Sequence, residues 1–239
     1  MPVPADVPIL VFDSVTKLPP EADGAVVIGA SHGAVYAAYM SARFGCRAAI
    51  HHDAGIGKDE AGVSGLAYAD KLGMAMAAVA TASARIGDGA DLHARGIISR
   101  ANDLAAACGV VPGMSAREAA GLLKQAPWPH TIPPAKGESR YIVEGVVCAD
   151  SATLLLPEDR GRIVATGSHG ALNSYKATAP FRPLLLMFND AGLGADRGGV
   201  RIPARRTCRR LRACTGARTG RKSSITLVRE TLGAWPSSM

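Results

Sequence analysis

Short apolar runs, each ended by a small polar cluster, alternate with longer mixed stretches along the first half of the chain. PILVF (8–12) ends at Asp13-Ser14, AVVIGA (25–30) at Ser31-His32-Gly33, and CRAAIHH (46–52) at Asp53-Ala54-Gly55-Ile56-Gly57. Each run predicts a strand, and MAMAAVATAS predicts a fourth, ending near the loop 83–89. The stretches between them predict helices. AVYAAYMSARF leads to Gly45, a C-terminal glycine cap, and a second helix leads to Gly73. Residues 91–107 predict one long helix, and Ser115 with Glu118 forms a capping box that opens a last short one. Strands alternating with helices at this spacing predict a parallel sheet with helices on its faces.

The pattern then repeats. Setting Ser31 on Ser168, an offset of 137 residues, aligns Asp13-Ser14 with Asp150-Ser151 and Ser31-His32-Gly33 with Ser168-His169-Gly170. The same offset aligns Asp53-Ala54-Gly55 with Asp190-Ala191-Gly192, and Gly57, Asp59, Gly62 and Val63 with Gly194, Asp196, Gly199 and Val200. Between residues 7 and 63 there are 21 identities in 57 ungapped positions, which marks a duplication. The match ends after Val200. The chain is therefore read as α/β and internally duplicated, with parallel sheets, flanking helices and an incomplete second repeat. Residues 1–125 form the first repeat, the proline-rich segment 126–140 a linker, 141–200 the truncated second repeat, and 201–239 an arginine-rich tail.

Charge sharpens the view of that tail. It carries nine arginines and one lysine against Glu230, so the net +7 of the chain leaves residues 1–200 at −2. The tail reads either as a disordered, solvated basic segment or as the product of a shifted reading frame. An acidic body with no aromatic interleaving in the tail argues against nucleic acid as partner. The longest apolar run is too short to span a bilayer, and the first residues lack a basic, then apolar, leader pattern, so neither a membrane nor a secretory signal is expected. Five scattered cysteines without a CxxC pair read as reduced thiols of a cytoplasmic protein. They do not align between the copies, so a cysteine nucleophile is not expected.

Ligands of parallel α/β sheets bind beyond the carboxyl ends of the strands, where the duplicated residues fall. Ser31, His32 and Asp53, with Ser168, His169 and Asp190 in the second copy, are the candidate catalytic groups: a histidine as proton shuttle and an aspartate to orient it or to hold a divalent metal. The competing reading makes Ser31 a helix cap and His32 a satisfied turn residue. Candidate binding residues are Asp13, Ser14, Gly33, Gly55, Gly57, Asp59 and Arg85, with Asp150, Ser151, Gly192, Gly194 and Asp196. The glycines allow a ligand close to backbone N–H groups, and Arg85 could pair with a carboxylate or phosphate. His51-His52 does not read as a metal pair, because neighbours on a strand face opposite ways and the second copy has Phe188-Asn189. The expected function is a small-molecule metabolic enzyme, a hydrolase or related acid–base catalyst. The alternative is a non-catalytic binding or regulatory module for a small anion or nucleotide. Homo-oligomerisation stays open.

Overall fold

The computed structural model describes residues 7–16, 18–200 and 225–229, with Val200 and the last five as backbone only. Two compact units result, one of Met1–Lys136 with Ala191–Gly199, the other of Gly137–Asp190 with Val200–Met239.

The first unit holds a five-stranded sheet. Strands β1 (Ile9–Phe12), β2 (Val26–His32), β3 (Ala48–His52) and β4 (Ala75–Val79) lie parallel in sequence order, and β5 (Ile98–Ala101) runs antiparallel beside β4. Both faces are covered, so β3 and β4 are buried at every residue, as the continuous apolar runs require. The period of two divides the side chains. Val26, Ile28, Ala30, Ala48, Ile50, Ala75 and Ala77 pack on Leu92 of α3 (Gly89–Arg95), Ala105 of α4 (Asp103–Ala107) and Ala116, Ala119, Ala120 and Leu123 of α5 (Ala116–Leu123). On the other face Ala49, Met74 and Met76 pack on Ala38 and Ala42 of α1 (Val35–Arg43) and Ala69 and Leu72 of α2 (Gly65–Leu72). Alanine on both sides of these contacts lets helix and sheet backbones approach closely.

The long helix expected over 91–107 is not formed; α3, β5 and α4 take its place. Helix α3 stops at Gly96, whose N–H reaches Leu92 O. The β-branched Ile97-Ile98 pair then favours extended backbone. Asn102 restarts the helix: its Oδ1 accepts from Ala105 N and Met76 N, and its Nδ2 donates to Met74 O, each at 2.9 Å. One buried amide thus caps α4 and ties it to the start of β4. The Ser115–Glu118 capping box forms as expected.

The second unit repeats the beginning of the first. β7 (Val146–Ala149), β8 (Ile163–His169) and β9 (Leu185–Asn189) have the bounds of β1, β2 and β3 displaced by the 137-residue offset, to the residue. The bulge between Ile28 and His32 recurs between Ala165 and His169. Helix α6 (Leu172–Thr178) starts where α1 predicts and ends two residues early, before Pro180, which has no N–H to continue it. An antiparallel strand flanks each side: β6 (Arg140–Val143) pairs with β7, and β10 (Ile225–Arg229) pairs with β9 where β4 pairs with β3 in the first sheet. The sheets are mixed, with mostly parallel strands. One face of the second sheet, Val147, Val164, Leu186 and Phe188, packs on Ala152, Leu155, Tyr175 and Phe181. The alternate positions, Val146, Cys148, Ala165, Leu185 and Met187, stay half-exposed, and Ile163 is exposed.

The segment 126–140 is not all linker. Ala126 is fully buried, and Arg47 Nε donates to its carbonyl at 2.7 Å while the guanidinium lies 5.3 Å over the Trp128 ring. His130 N donates to Leu72 O, and Lys136 N to the Tyr39 hydroxyl. These bonds strap 126–136 onto the first unit. Of the tail 201–239, only the backbone of β10 is described; the expectation of disorder or of a shifted frame falls otherwise outside the described residues.

Candidate functional site

The parallel order of β1 to β4 sets Asp13, His32, Asp53 and the loop after β4 along one edge of the first sheet. Asp13 accepts from Gly89 N at 2.8 Å, fixing the start of α3. Ser31 Oγ accepts from Val15 N at 3.1 Å, and Ser14 bonds to Thr16 through backbone and side chain. The second copy makes the same bonds: Ser168 Oγ accepts from Ala152 N at 2.9 Å, and Ser151 bonds to Thr153. The duplicated serines therefore hold the turn that follows the first strand of each repeat. Ser31 and Ser168 do not cap the helices that follow them; Ala34 and Ala171 are the N-cap residues of α1 and α6, with no side-chain cap. Asp150 has a different partner from Asp13 and accepts from Ser139 N at 2.7 Å.

His51 and His52 face opposite sides of β3. His51 Nδ1 donates to Gly29 O and its Nε2 accepts from Ser41 Oγ, both at 3.0 Å. The carbonyl can only accept, so the tautomer is fixed. Complete burial lowers its pKa to about 4, against the Gly29 bond, which raises it. His52 Nε2 donates to Ala84 O and its Nδ1 accepts from Ala54 N, both at 3.0 Å. Burial holds its pKa below the ordinary value as well, although the Ala84 bond and Asp53 oppose this. His32, half-buried and paired in register with His52, is likewise held low, by burial first and then by His52. All three rings are neutral at pH 7. Asp53 is buried, and its Oδ1 accepts from Gly55 N and Thr81 N at 2.9 Å, joining the ends of β3 and β4. Its counterpart Asp190 is half-buried at the end of β9, as is His169 at the end of β8.

The glycine loop after Asp53 is strained and internally satisfied. Ala54, Gly55, Ile56 and Gly57 all have left-handed φ, from 50° to 72°, as do Asp59 and Glu60. Gly192, Leu193, Gly194, Asp196 and Arg197 repeat this path. Gly55 N donates to Asp53 Oδ1, Ile56 N to Asp53 O, Gly57 N to Gly55 O and Gly62 N to Ile56 O. In the second copy Gly194 N donates to Gly192 O and Gly199 N to Leu193 O. The amides expected to face an anion are spent on the loop itself. Gly33 N is likewise given to His52 O, at 2.6 Å.

Arg85 is also committed. Its Nε and guanidinium nitrogens reach Asp88, Asp91 and Asp196 at 3.0 to 3.3 Å, and Arg95 reaches Asp91 at 2.7 Å and Asp196 at 2.9 Å. Burial would raise the Asp91 carboxyl, but the Arg95 bond, then Arg85, hold it below the carboxylate range. Sequence reasoning missed Asp88, Asp91 and Arg95; their i, i+3, i+7 spacing from the N-cap along α3 was the available signal. Asp59 pairs with its neighbour Lys58 at 3.6 Å, and both are exposed. Among the described residues, no group of three or more His, Cys, Asp or Glu side chains could hold a metal, and no helix is long and apolar enough to cross a membrane. Burial pushes the Cys46 thiol up to about 12, too high for a nucleophile at neutral pH. No known family matches the chain, and neither does any curated protein or solved structure.

Proposed function

We propose that the carboxyl edge of the first sheet is the small-molecule site of an acid–base catalyst, a hydrolase in the first instance, with His32 as the proton-transferring group. The observation that carries this reading is the state of His32. It ends the strand flanked by β1 and β3, is half-buried, and is kept as the neutral base by burial and by His52. Its neighbours position rather than react: Ser31 and Asp53 accept from backbone amides, and His52 is bonded to backbone through both nitrogens. A water or substrate hydroxyl at this edge would give its proton to His32 as it attacks. A cytoplasmic, metabolic setting belongs to this reading, with a small molecule rather than nucleic acid as partner. Nothing in the reading requires a divalent ion.

A second reading has its own support. Ser31 and Ser168 each accept from a backbone amide rather than face a reactant in both copies, which favours a binding module that turns nothing over. One experiment separates the two. Wild type and His32→Gln are assayed against a panel of esters, amides and phosphoesters, with ligand-induced thermal stabilisation read in parallel. The catalytic reading expects kcat/KM to fall about a hundredfold or more in the variant while ligands still raise its Tm. It also expects wild-type kcat/KM to fall only below pH 6.5, because the His32 pKa lies below that ordinary value. Stabilisation without turnover selects the binding module, and undiminished turnover in His32→Gln removes His32 from the chemistry.

A further inference from the structure

We propose that the loop 57–60 is a docking surface for a second copy of this chain, and that the loop 191–199 restrains that pairing by occupying the matching socket from within. Residues Ala191–Gly199 belong to the first unit. Ala195 N donates to Thr81 O at 2.7 Å, and Asp196 pairs with Arg85 and Arg95. A Cβ on Gly194 would come within 2.9 Å of Thr81 Oγ1, and one on Gly55 within 3.4 Å of Gly192 Cα. Gly55 and Gly192 are equivalent positions in the two repeats.

Loop 57–60 meets no such socket among the described residues. The counterparts of Thr81, Arg85 and Arg95 fall at positions 218, 222 and 232, beyond the end of the repeat match and outside the described residues. Yet the loop 57–60 keeps the shape of 194–197. Gly57, Asp59 and Glu60 have φ of 72°, 54° and 55°, against 68°, 52° and 58° at Gly194, Asp196 and Arg197. Asp59 stands where Asp196 meets its two arginines, but among the described residues it pairs only with Lys58. Where Gly194 is pressed on Thr81, a Cβ on Gly57 meets nothing within 4 Å. The loop has the backbone and the charge to fit a Thr81–Arg85–Arg95 socket. The socket in its own chain is taken by 191–199, so the fitting partner is the socket of another chain. When 191–199 withdraws, each chain offers one loop and one socket, which closes a symmetric dimer.

The test uses the full chain in sedimentation equilibrium, with circular dichroism to confirm folding. Wild type, Asp196→Arg and Asp59→Arg/Asp196→Arg are compared, and Asp196→Asn is run beside them. Arginine at 196 repels Arg85 and Arg95 and vacates the socket, so self-association tightens at least about tenfold. Arginine at 59 should reverse it. A folded Asp196→Arg that associates no better than wild type, or a dimer indifferent to Asp59→Arg, overturns the proposal. If Asp196→Arg does not fold, the same criteria apply to Asp196→Asn and Asp59→Arg/Asp196→Asn.

Discussion

The two sheets of this protein begin from one pattern and end in different states of burial. In the first, α1 and α2 cover one face and α3, α4 and α5 the other, and the central strands are closed to solvent. In the second, α6 covers one face, and the alternate positions of β7, β8 and β9 stay partly open. The strands, the single helical turns Pro20–Ala22 and Pro157–Asp159, and the glycine loop form regardless, at equivalent residues. Local sequence is therefore enough to set the elements and their edge-of-sheet turns. What it does not set is the second layer, which the first repeat builds from residues 89–123, beyond the stretch that the copies share. The duplicated Ser-His-Gly and Asp-Ala-Gly residues belong to the shared part. Their bonds are turn-forming bonds in both copies, so duplication preserved the turns as much as any chemistry.

The largest expected contrast between the copies lies at Gly62 and Gly199. They are equivalent and identical, and each donates its N–H across the glycine loop. A Cβ on Gly62 would collide with the Asp53 carbonyl oxygen, whereas one on Gly199 meets its nearest atoms at an ordinary 3.4 Å. Asp53 cannot give way, since its carboxylate ties β3 to β4. Gly62→Ala should destabilise by about 3 kcal/mol, and Gly199→Ala by about 0.5 kcal/mol or less, read from urea unfolding midpoints. Equal losses would mean that the two loops are under equal constraint, and the contrast would fail.

The next contrast is at His51 and Phe188. His51 is buried with a pKa of about 4, against 6.5 when free. Between those values the unfolded chain binds a proton that the folded chain does not. The contribution is fully present above pH 6.5 and is lost as pH falls towards about 4, amounting to about 3 kcal/mol. His52 and His32 are lowered too and act in the same direction. Phe188, also buried, has no such limb. His51→Phe should cost about 1–3 kcal/mol at pH 7, because Gly29 O loses its donor. The deficit should then shrink on acidification and reach zero, or reverse in favour of the variant, by about pH 4. A gap between wild type and variant that stays constant from pH 7 to pH 4.5 would show that His51 does not titrate as its burial dictates.

These residues also mark what could be read from the chain. The 137-residue register carries the observed bounds of β1, β2 and β3 onto β7, β8 and β9, because strand ends and turns are dictated by residues close in sequence. The long helix over 91–107 was misread because Gly96 and the Ile97-Ile98 pair weigh little against a helical period. The strand they form also gains its stability from pairing with β4, which no local window contains. Arg85 looked available for an anion. Its partners include Asp196, 111 residues away, and the socket they share cannot be seen along the chain. Ser31 is read as a candidate catalytic group with a helix cap as the competing reading, but its bond goes back sixteen residues to Val15 N, which neither reading contains. The edge of the sheet was legible; the partners of the side chains there were not.

The smallest expected effect is also the most specific, since it tests whether the copies differ by compensation. Gly29 faces Val15 and His51: a Cβ there would collide with Val15 Cγ1 and come within 3.1 Å of His51 Nδ1. At the equivalent positions the second copy has Thr166 and Ala152, a larger residue together with a smaller one. The volume that Gly29 yields to Val15 is thus redistributed, not lost. Gly29→Ala alone should cost about 2 kcal/mol by overpacking, and Val15→Ala alone about 1–2 kcal/mol, since Val15 is almost completely buried. In the double variant the smaller residue makes room for the added methyl. The pair should therefore be more stable than the sum of the single losses predicts, by about 1 kcal/mol in a double-mutant cycle. Strict additivity would mean that the His51 ring, rather than Val15, sets the limit at Gly29.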